Sequence, residues 1–377
     1  MNFRLIQRLY QLDWLLLAAV LLLVFLGLAV IYSITLGQGN DIGGGILYSP
    51  LLHKQIISLT FGIVLFFIFS LINYRLFYVY SRYLFWGIII LLLAVLFFGN
   101  TIRGTTGWFE FGGFGFQPVE VAKLVLIIIL AKYFTTNGRY LAQFRHVVFS
   151  GIIVLIIMGL VLLQPDFGSA VILILIWAGM MFAVGIPKKY LTFAAFAAIL
   201  VGILSWSFFL QDYQKDRIAV FLNPQADPQG SGYHVAQSII AIGSGQLFGK
   251  GLGFGSQSHL KFLPESHTDF IFAVIAEEMG FFSVIFLFSL FIFLYYRLIK
   301  ISKDSIDDFG SLLCVGIVIS LFCQMFINLA MNMGILPVTG LPLPFVSFGG
   351  SSLIMSFAMI GVAQNVHIKS KLAGIKM

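Results

Sequence analysis

Residues 262–273, FLPESHTDFIFA, set Glu265, His267 and Asp269 directly before a long apolar run that continues into Glu277 and Glu278. Carboxylates crowded at the edge of an apolar phase have raised pKa values, because desolvation and like charge both disfavour the ionised form. A carboxyl group tuned in this way serves as a general base, and Asp269 is the candidate for that role. Thr268 or Asp269 also suits a helix N-cap. His267 is a candidate binding residue or titrating switch, with a plain hydrogen bond at the helix start as the simpler alternative.

Other polar positions interrupt apolar sequence. Glu120 and Lys123, in QPVEVAKL at 117–124, are three residues apart and share a helix face. They form either an ion pair that fixes packing or the polar wall of a cavity; charge and spacing do not separate the two. Pro118 suits the first turn of that helix. Arg103, in RGTTGW, is either an interface anchor or a bidentate contact for phosphate or carboxylate. Trp108 fits an interfacial belt better than a sugar platform. Asp166, in the turn QPDFGS, either caps the next helix or binds substrate or a cation. Further on lie Arg217 and the glycine-rich run Gly243 to Gly255 around Lys250. Accessible N–H groups there suit phosphate; a flexible connection is the alternative. The two cysteines, Cys314 and Cys323, read as small core hydrophobes.

The elements that position these residues are set by composition. The 377 residues are 60% hydrophobic and 10% charged, with a mean hydropathy of +1.01. A soluble chain carries about 25% charged residues, so a soluble enzyme, disorder and a coiled coil are excluded. The sequence predicts an all-α polytopic membrane protein, one integral domain over 1–377. Ten spans are expected: Trp14–Ile34, Gln55–Ile72, Tyr80–Phe98, Pro118–Tyr133, Val147–Leu163, Ser169–Val184, Tyr190–Phe209, Asp269–Leu294, Ser311–Met331 and Ser351–Val366. The first is too long for a typical signal peptide and no small-residue cleavage site follows it.

The net charge of +7 is no sign of nucleic-acid binding, because the cations are scattered between apolar runs. Arg4, Arg8, Arg75, Arg82, Lys132, Arg139, Arg145, Lys188, Lys189, Arg297, Lys300, Lys303, Lys369, Lys371 and Lys376 fall on one side. The positive-inside rule makes that side cytoplasmic, along with both termini. The large loop between the seventh and eighth spans, about 211–268, is then extracytoplasmic, and the chemistry is expected on the outer face. The proline-rich segment 336–352 reads as re-entrant backbone walling the same cavity.

Together QPVEVAKL (117–124), QPDFGSA (164–170), HTDFIFAVIAEE (267–278) and PFVSFGGSS (344–352) resemble the SEDS family, the RodA/FtsW/SpoVE proteins, over nearly the whole chain. The string GFGSQSHLKFLPESHTDF (253–270) is more similar to the RodA branch. The resemblance implies a peptidoglycan glycosyltransferase of the cytoplasmic membrane that polymerises lipid II into glycan strands for cell elongation and rod shape. It assigns Asp269 the essential aspartate, and Arg103, Glu120, Lys123 and Asp166 other positions lining the central cavity; Arg217, Lys250 and His267 are further candidate contacts. It implies a class B penicillin-binding protein as partner, within an elongation complex. Developing charge on the pyrophosphate leaving group calls for Arg, Lys or a divalent cation such as Mg or Mn; the residues fix no metal site, and no other cofactor is expected. The rivals are a lipid II flippase, which needs polar groups near the midplane, and a non-catalytic scaffold, for which Asp269 is dispensable.

Overall fold

A computed structural model describes residues 9–36, 49–138, 143–187, 231–263 and 265–374, except 103, 113, 260 and 261, with a few isolated positions between 189 and 221. The helices are α1 (Trp14–Leu36), α2 (Pro50–Leu71), α3 (Arg75–Phe98), α4 (Pro118–Asn137), α5 (Phe144–Leu163), α6 (Phe167–Ala183), α7 (Ser231–Ser244), α8 (Ser256–His259), α9 (Ile271–Lys303), α10 (Asp308–Asn332) and α11 (Gly350–Gly374). Nine of the ten expected spans are among them. The seventh, Tyr190–Phe209, lies almost wholly outside the described residues.

Seven of these helices are long and apolar enough to cross a membrane, and the chain is a multi-pass membrane protein. The other two fall short for definable reasons. Helix α6 is 17 residues long, and α4 carries Glu120, Lys123 and Lys132. Helix α4 packs against α3, α5, α6, α10 and α11. The buried Glu120 and Lys123 therefore face protein rather than lipid, where they would be expensive. The outer surface holds large exposed apolar side chains such as Phe97, Phe98 and Ile90 of α3, as a lipid-facing surface requires.

Between α3 and α4 the chain forms a small antiparallel sheet that the span pattern does not predict. Strands β1 (Asn100–Ile102), β2 (Thr105–Phe111) and β3 (Phe114–Phe116) lie in that order. Phe109 pairs with Phe116 and Phe111 with Phe114 around a turn in which Gly112 has φ 58°; a two-residue hairpin loop demands positive φ. The sheet is tied to the α5–α6 turn by Thr106 N–H donating to the Gln164 carbonyl at 3.3 Å.

The end of the bundle opposite the sheet is fastened by ion pairs. Asp13, just before α1, pairs with Arg297 near the end of α9. Asp307 caps α10 through Gly310 N–H at 2.8 Å and accepts from Arg75 and from the Tyr74 hydroxyl, the latter at 2.8 Å. Burial, and then Asp307 beside it, push the Tyr74 phenol up to about 12.

The expected outer loop is partly folded onto α9. Helix α7 packs along α9, and the glycine-rich run wraps a break in it. Gly280, with φ 73° and ψ −171°, interrupts α9. Phe281 N–H donates to Gln246 O at 2.8 Å and Phe282 N–H to Leu247 O at 3.2 Å, while Lys250 and Gly251 donate to the freed Glu277 and Glu278 carbonyls at 3.0 and 2.9 Å. The amides of 250 and 251 thus complete the broken helix rather than standing open to phosphate.

The Gly280 conformation belongs to a region that only glycine occupies without strain of order 1–3 kcal/mol, and a Cβ there would overlap the Gly249 nitrogen. Gly280→Ala is expected to destabilise the detergent-solubilised protein by at least about 2 kcal/mol in thermal melting. Gly87→Ala, where a Cβ meets nothing within 4 Å, should gain up to about 1 kcal/mol. Equal midpoints for the two variants would show that the kink does not need glycine.

Candidate functional site

Helix α4 opens with Pro118 at its first position and Glu120 in its first turn, where the macrodipole favours an acid. One turn on, Lys123 is wholly withdrawn from solvent. Its Nζ donates to Glu120 Oε1 at 2.8 Å and to Gln324 Oε1 of α10 at 3.1 Å. Gln324 in turn donates to the Pro342 carbonyl at 3.1 Å and to Ser352 Oγ at 3.3 Å. The ion pair is therefore joined to the α10–α11 connection.

Asp166 takes the capping role of the two expected for it. It caps α6, with Oδ1 accepting from Ser169 N–H at 2.9 Å and Oδ2 from Ser169 Oγ at 2.7 Å. The same Oδ2 accepts from Gln117 Nε2 at 3.2 Å. Gln117 N–H donates to Ser351 Oγ at 3.0 Å, so the starts of α4, α6 and α11 are linked by side chains.

Asp269 precedes α9. Phe270, rather than Thr268 or Asp269, takes the N-cap position, and it makes no side-chain cap bond. The backbone of 268–270 turns on the Glu265 carbonyl, which accepts from the three amides at 3.1, 3.1 and 3.3 Å, with Glu265 itself at φ 59°. The Asp269 carbonyl accepts from Asn328 Nδ2 at 3.1 Å and Asn332 Nδ2 at 2.8 Å. Ser347 Oγ donates to the Thr268 carbonyl at 2.6 Å, and Phe348 N–H to the His267 carbonyl at 2.8 Å. The segment is held by its main chain between α10 and the re-entrant backbone.

That re-entrant backbone is satisfied as membrane-depth backbone must be. Gln55 of α2 donates to Ser347 O at 3.2 Å and accepts from Gly349 N–H at 3.3 Å. Asn328 donates to Leu341 O at 2.8 Å. At Gly27 of α1 a Cβ would overlap the Val346 carbonyl, so the glycine allows the close approach of α1 to this segment.

These elements enclose a cavity of about 120 Å³ that is lined by Glu120, Asp166 and Asp269 together, with Gln117, Ser169, Thr268, Ser351 and Ser352 as uncharged polar groups and Trp108, Thr105 and Pro342 on its walls. The three carboxylates come from segments separated by 46 and 103 positions in sequence (120 to 166 to 269). The starts of α4, α6 and α11 contribute lining residues, and α9 begins beside the cavity. Their N-terminal partial positive charges converge on it, a setting that favours anionic groups.

Trp108, expected in an interfacial belt rather than as a sugar platform, lines the cavity. It stands in β2, donates from Nε1 to Thr105 Oγ1 at 3.2 Å and presents to the cavity. Lys250 pairs with the buried Glu277 at 2.8 Å and with Ser256 Oγ at 2.8 Å, on the segment that wraps α9. The His267 ring packs edge-on against Phe348, 5.5 Å between centroids. Neither lines the cavity. Arg103 and Arg217 lie outside the described residues, although Ile102 and Thr105 on either side of Arg103 line the cavity. Among the described residues no three His, Cys, Asp or Glu side chains are grouped to hold a metal ion. The supporting amides Gln55 and Gln324 escaped the sequence reading; an isolated amide inside an apolar helix is the signal that marks them.

Comparison with known proteins gives a single direction. The family FtsW, RodA and SpoVE, described as "Cell cycle protein", matches residues 13–372. Peptidoglycan glycosyltransferase MrdB of Escherichia coli K12 is 36% identical over 355 residues, covering 93% of this chain and 94% of its own. Probable peptidoglycan glycosyltransferase FtsW of Haemophilus influenzae is 40% identical over 289 residues, 75% of this chain and 72% of its own. Among solved structures, a chain from the work "Structural coordination of polymerization and crosslinking by a peptidoglycan synthase complex" matches with a TM-score of 0.77 at 33% identity, covering 95% of this chain and 98% of that one. The rod shape determining protein RodA of Thermus thermophilus matches with a TM-score of 0.69 at 29% identity, over 94% and 96%.

Breaking a buried pair by removing one partner costs about 3–5 kcal/mol. Glu120→Gln or Lys123→Met alone is therefore expected to lower the melting midpoint sharply, and the double variant to recover most of the loss. A double variant no more stable than either single one would show that the two charges do not depend on each other.

Proposed function

The chain belongs to the FtsW, RodA and SpoVE family and is a peptidoglycan glycosyltransferase, and from that premise we propose that lipid II is its substrate, that Asp269 is its general base and that the cavity opens on the outer side of the cytoplasmic membrane. The observation that carries the assignment is the meeting of Asp269 with Asp166 and Glu120 in one polar cavity.

Within that cavity the three carboxylates are not equivalent. Glu120 is engaged by Lys123, and both oxygens of Asp166 accept bonds from Ser169, one of them also from Gln117. The Asp269 carbonyl accepts from Asn328 and Asn332, so its main chain is clamped against α10. Such an arrangement suits a base: the acceptor sugar's 4-hydroxyl gives its proton to the Asp269 carboxylate as the oxygen forms its bond to the anomeric carbon. The bond from that carbon to the pyrophosphate oxygen breaks, and the departing lipid pyrophosphate keeps the electron pair. Gln117, Thr268, Ser351 and Ser352 offer hydrogen bonds to sugar hydroxyls, and Trp108 offers an apolar face. The converging helix starts favour the pyrophosphate.

A flippase is less well supported, because the lining residues come from helix starts and the hairpin at one end of the bundle, whereas a transport site lies near the midplane. The outward orientation rests on the positive-inside rule; Arg75 and Arg297 lie at the end opposite the cavity. The likeness to a chain of a synthase complex that couples polymerization to crosslinking supports a class B penicillin-binding protein as partner, and the likeness to a rod shape determining protein supports a role in elongation.

Asp269→Asn is expected to lower glycan synthesis by about 10²–10⁴-fold, read from labelled lipid II on a gel in the presence of the partner, with an unchanged melting midpoint. Synthesis at the wild-type rate would remove Asp269 from the chemistry. Orientation is tested separately. With Cys314 and Cys323 replaced, Leu252→Cys should react with an impermeant maleimide in cells whose outer envelope is permeable, and Ile306→Cys only after the cytoplasmic membrane is opened; both sites are exposed. The reverse pattern would turn the cavity inward.

A further inference from the structure

A second recess lies at the basic end of the bundle, far from the carboxylate cavity, where α3, α4 and α5 meet. It measures about 350 Å³. Its floor is apolar, built from Phe85 of α3, Ile129 of α4 and Ile153 of α5, and its rim carries Arg82 and Lys132. The volume falls in the range of small-molecule sites, about 300–1,000 Å³. Lys132 is held in place: its Nζ stands 4.9 Å from the centre of the Tyr78 ring, and the Tyr78 hydroxyl bonds Thr136 Oγ1 at 3.2 Å. Among the described residues neither Arg82 nor Lys132 has a carboxylate partner. The sequence explains why: no acidic residue occurs between Asp41 and Glu110, or between Glu120 and Asp166. Two other cations of that end, Arg75 and Arg297, are by contrast neutralised by Asp307 and Asp13. Two unneutralised cations above an apolar slot are complementary to one kind of molecule, an anion with a hydrocarbon chain.

We propose that this groove is a binding site for one anionic phospholipid of the leaflet at the basic end, with the phosphate between Arg82 and Lys132 and an acyl chain along Phe85, Ile129 and Ile153. The site is independent of the carboxylate cavity. Basic pockets between transmembrane helices hold anionic headgroups in this way, each cation near the surface contributing about 1 kcal/mol. Two cations therefore predict a preference for an anionic over a zwitterionic lipid of about tenfold to thirtyfold.

The test is native mass spectrometry of the full chain, stripped of lipid in detergent and titrated with dioleoyl-phosphatidylglycerol or dioleoyl-phosphatidylcholine. The phosphatidylglycerol adduct should form at about tenfold or more lower concentration. In Arg82→Gln/Lys132→Gln the two lipids should bind within about twofold of each other, and Arg82→Gln alone, at an exposed position that folding does not need, should fall between. Ile153→Trp, which fills the slot and leaves both cations, should weaken phosphatidylglycerol binding without moving the melting midpoint. Equal retention of the two lipids by the wild type, or undiminished preference in Arg82→Gln, would overturn the site. So would displacement of phosphatidylglycerol by equimolar inorganic phosphate, which would mark an ion site with no role for the chain.

Discussion

A lysine ammonium with no access to water inside a bundle of apolar helices constrains everything around it. An ion in such a medium carries a desolvation cost of several kcal/mol that only a close counter-charge and further hydrogen bonds offset. Glu120 supplies the charge for Lys123 and Gln324 the second bond. Because Gln324 spends its carbonyl on Lys123, its amide is free to hold the Pro342 carbonyl and Ser352. Neutralising one residue of α4 therefore sets the rotation of α10 and the position of the α10–α11 connection. That connection is a wall of the carboxylate cavity.

The same rule, that no backbone polar group at membrane depth goes unpaired, explains how an irregular segment can hold the proposed general base. The turn that carries Asp269 has few helical bonds of its own. Asn328 and Asn332 meet its last carbonyl, and Ser347 and the Phe348 amide meet the two before it. Gln55 reaches across from α2 to brace the other side of the re-entrant backbone. Preorganisation of this kind fixes the Asp269 main chain, and it ties the segment to α10 and, through the re-entrant backbone, to α2.

The two ends of the bundle divide the work. At one end short loops are fastened by ion pairs, Asp13 with Arg297 and Asp307 with Arg75, so that helix starts and stops are locked. At the other, longer connections fold back as a hairpin, a re-entrant segment and a glycine-rich wrap around α9. The break at Gly280 joins these halves: it frees the Glu277 and Glu278 carbonyls, which the wrap then occupies, while the Glu277 side chain anchors Lys250, Ser256 and the Gln257 amide.

The sequence by itself determined that the chain is a bundle of membrane helices, where most of them run, and which polar strings matter, because apolar length and misplaced charge are local properties readable one segment at a time. Asp166 as a cap and Glu120–Lys123 as a pair were legible for the same reason, each being a contact across three residues. The hairpin at 100–116 was obscured by its length, since strands of three to seven residues leave no mark in a search for spans of about 20. Only the tertiary structure decided that Asp269, Asp166 and Glu120 share one cavity, that Trp108 lines it, and that Lys250 and His267 stand elsewhere. It also decided that the glycine run closes on α9, because the partners of its amides are carbonyls exposed by a kink some 30 residues away. Contacts across such distances depend on how helices pack against one another, and no local pattern of side chains encodes that.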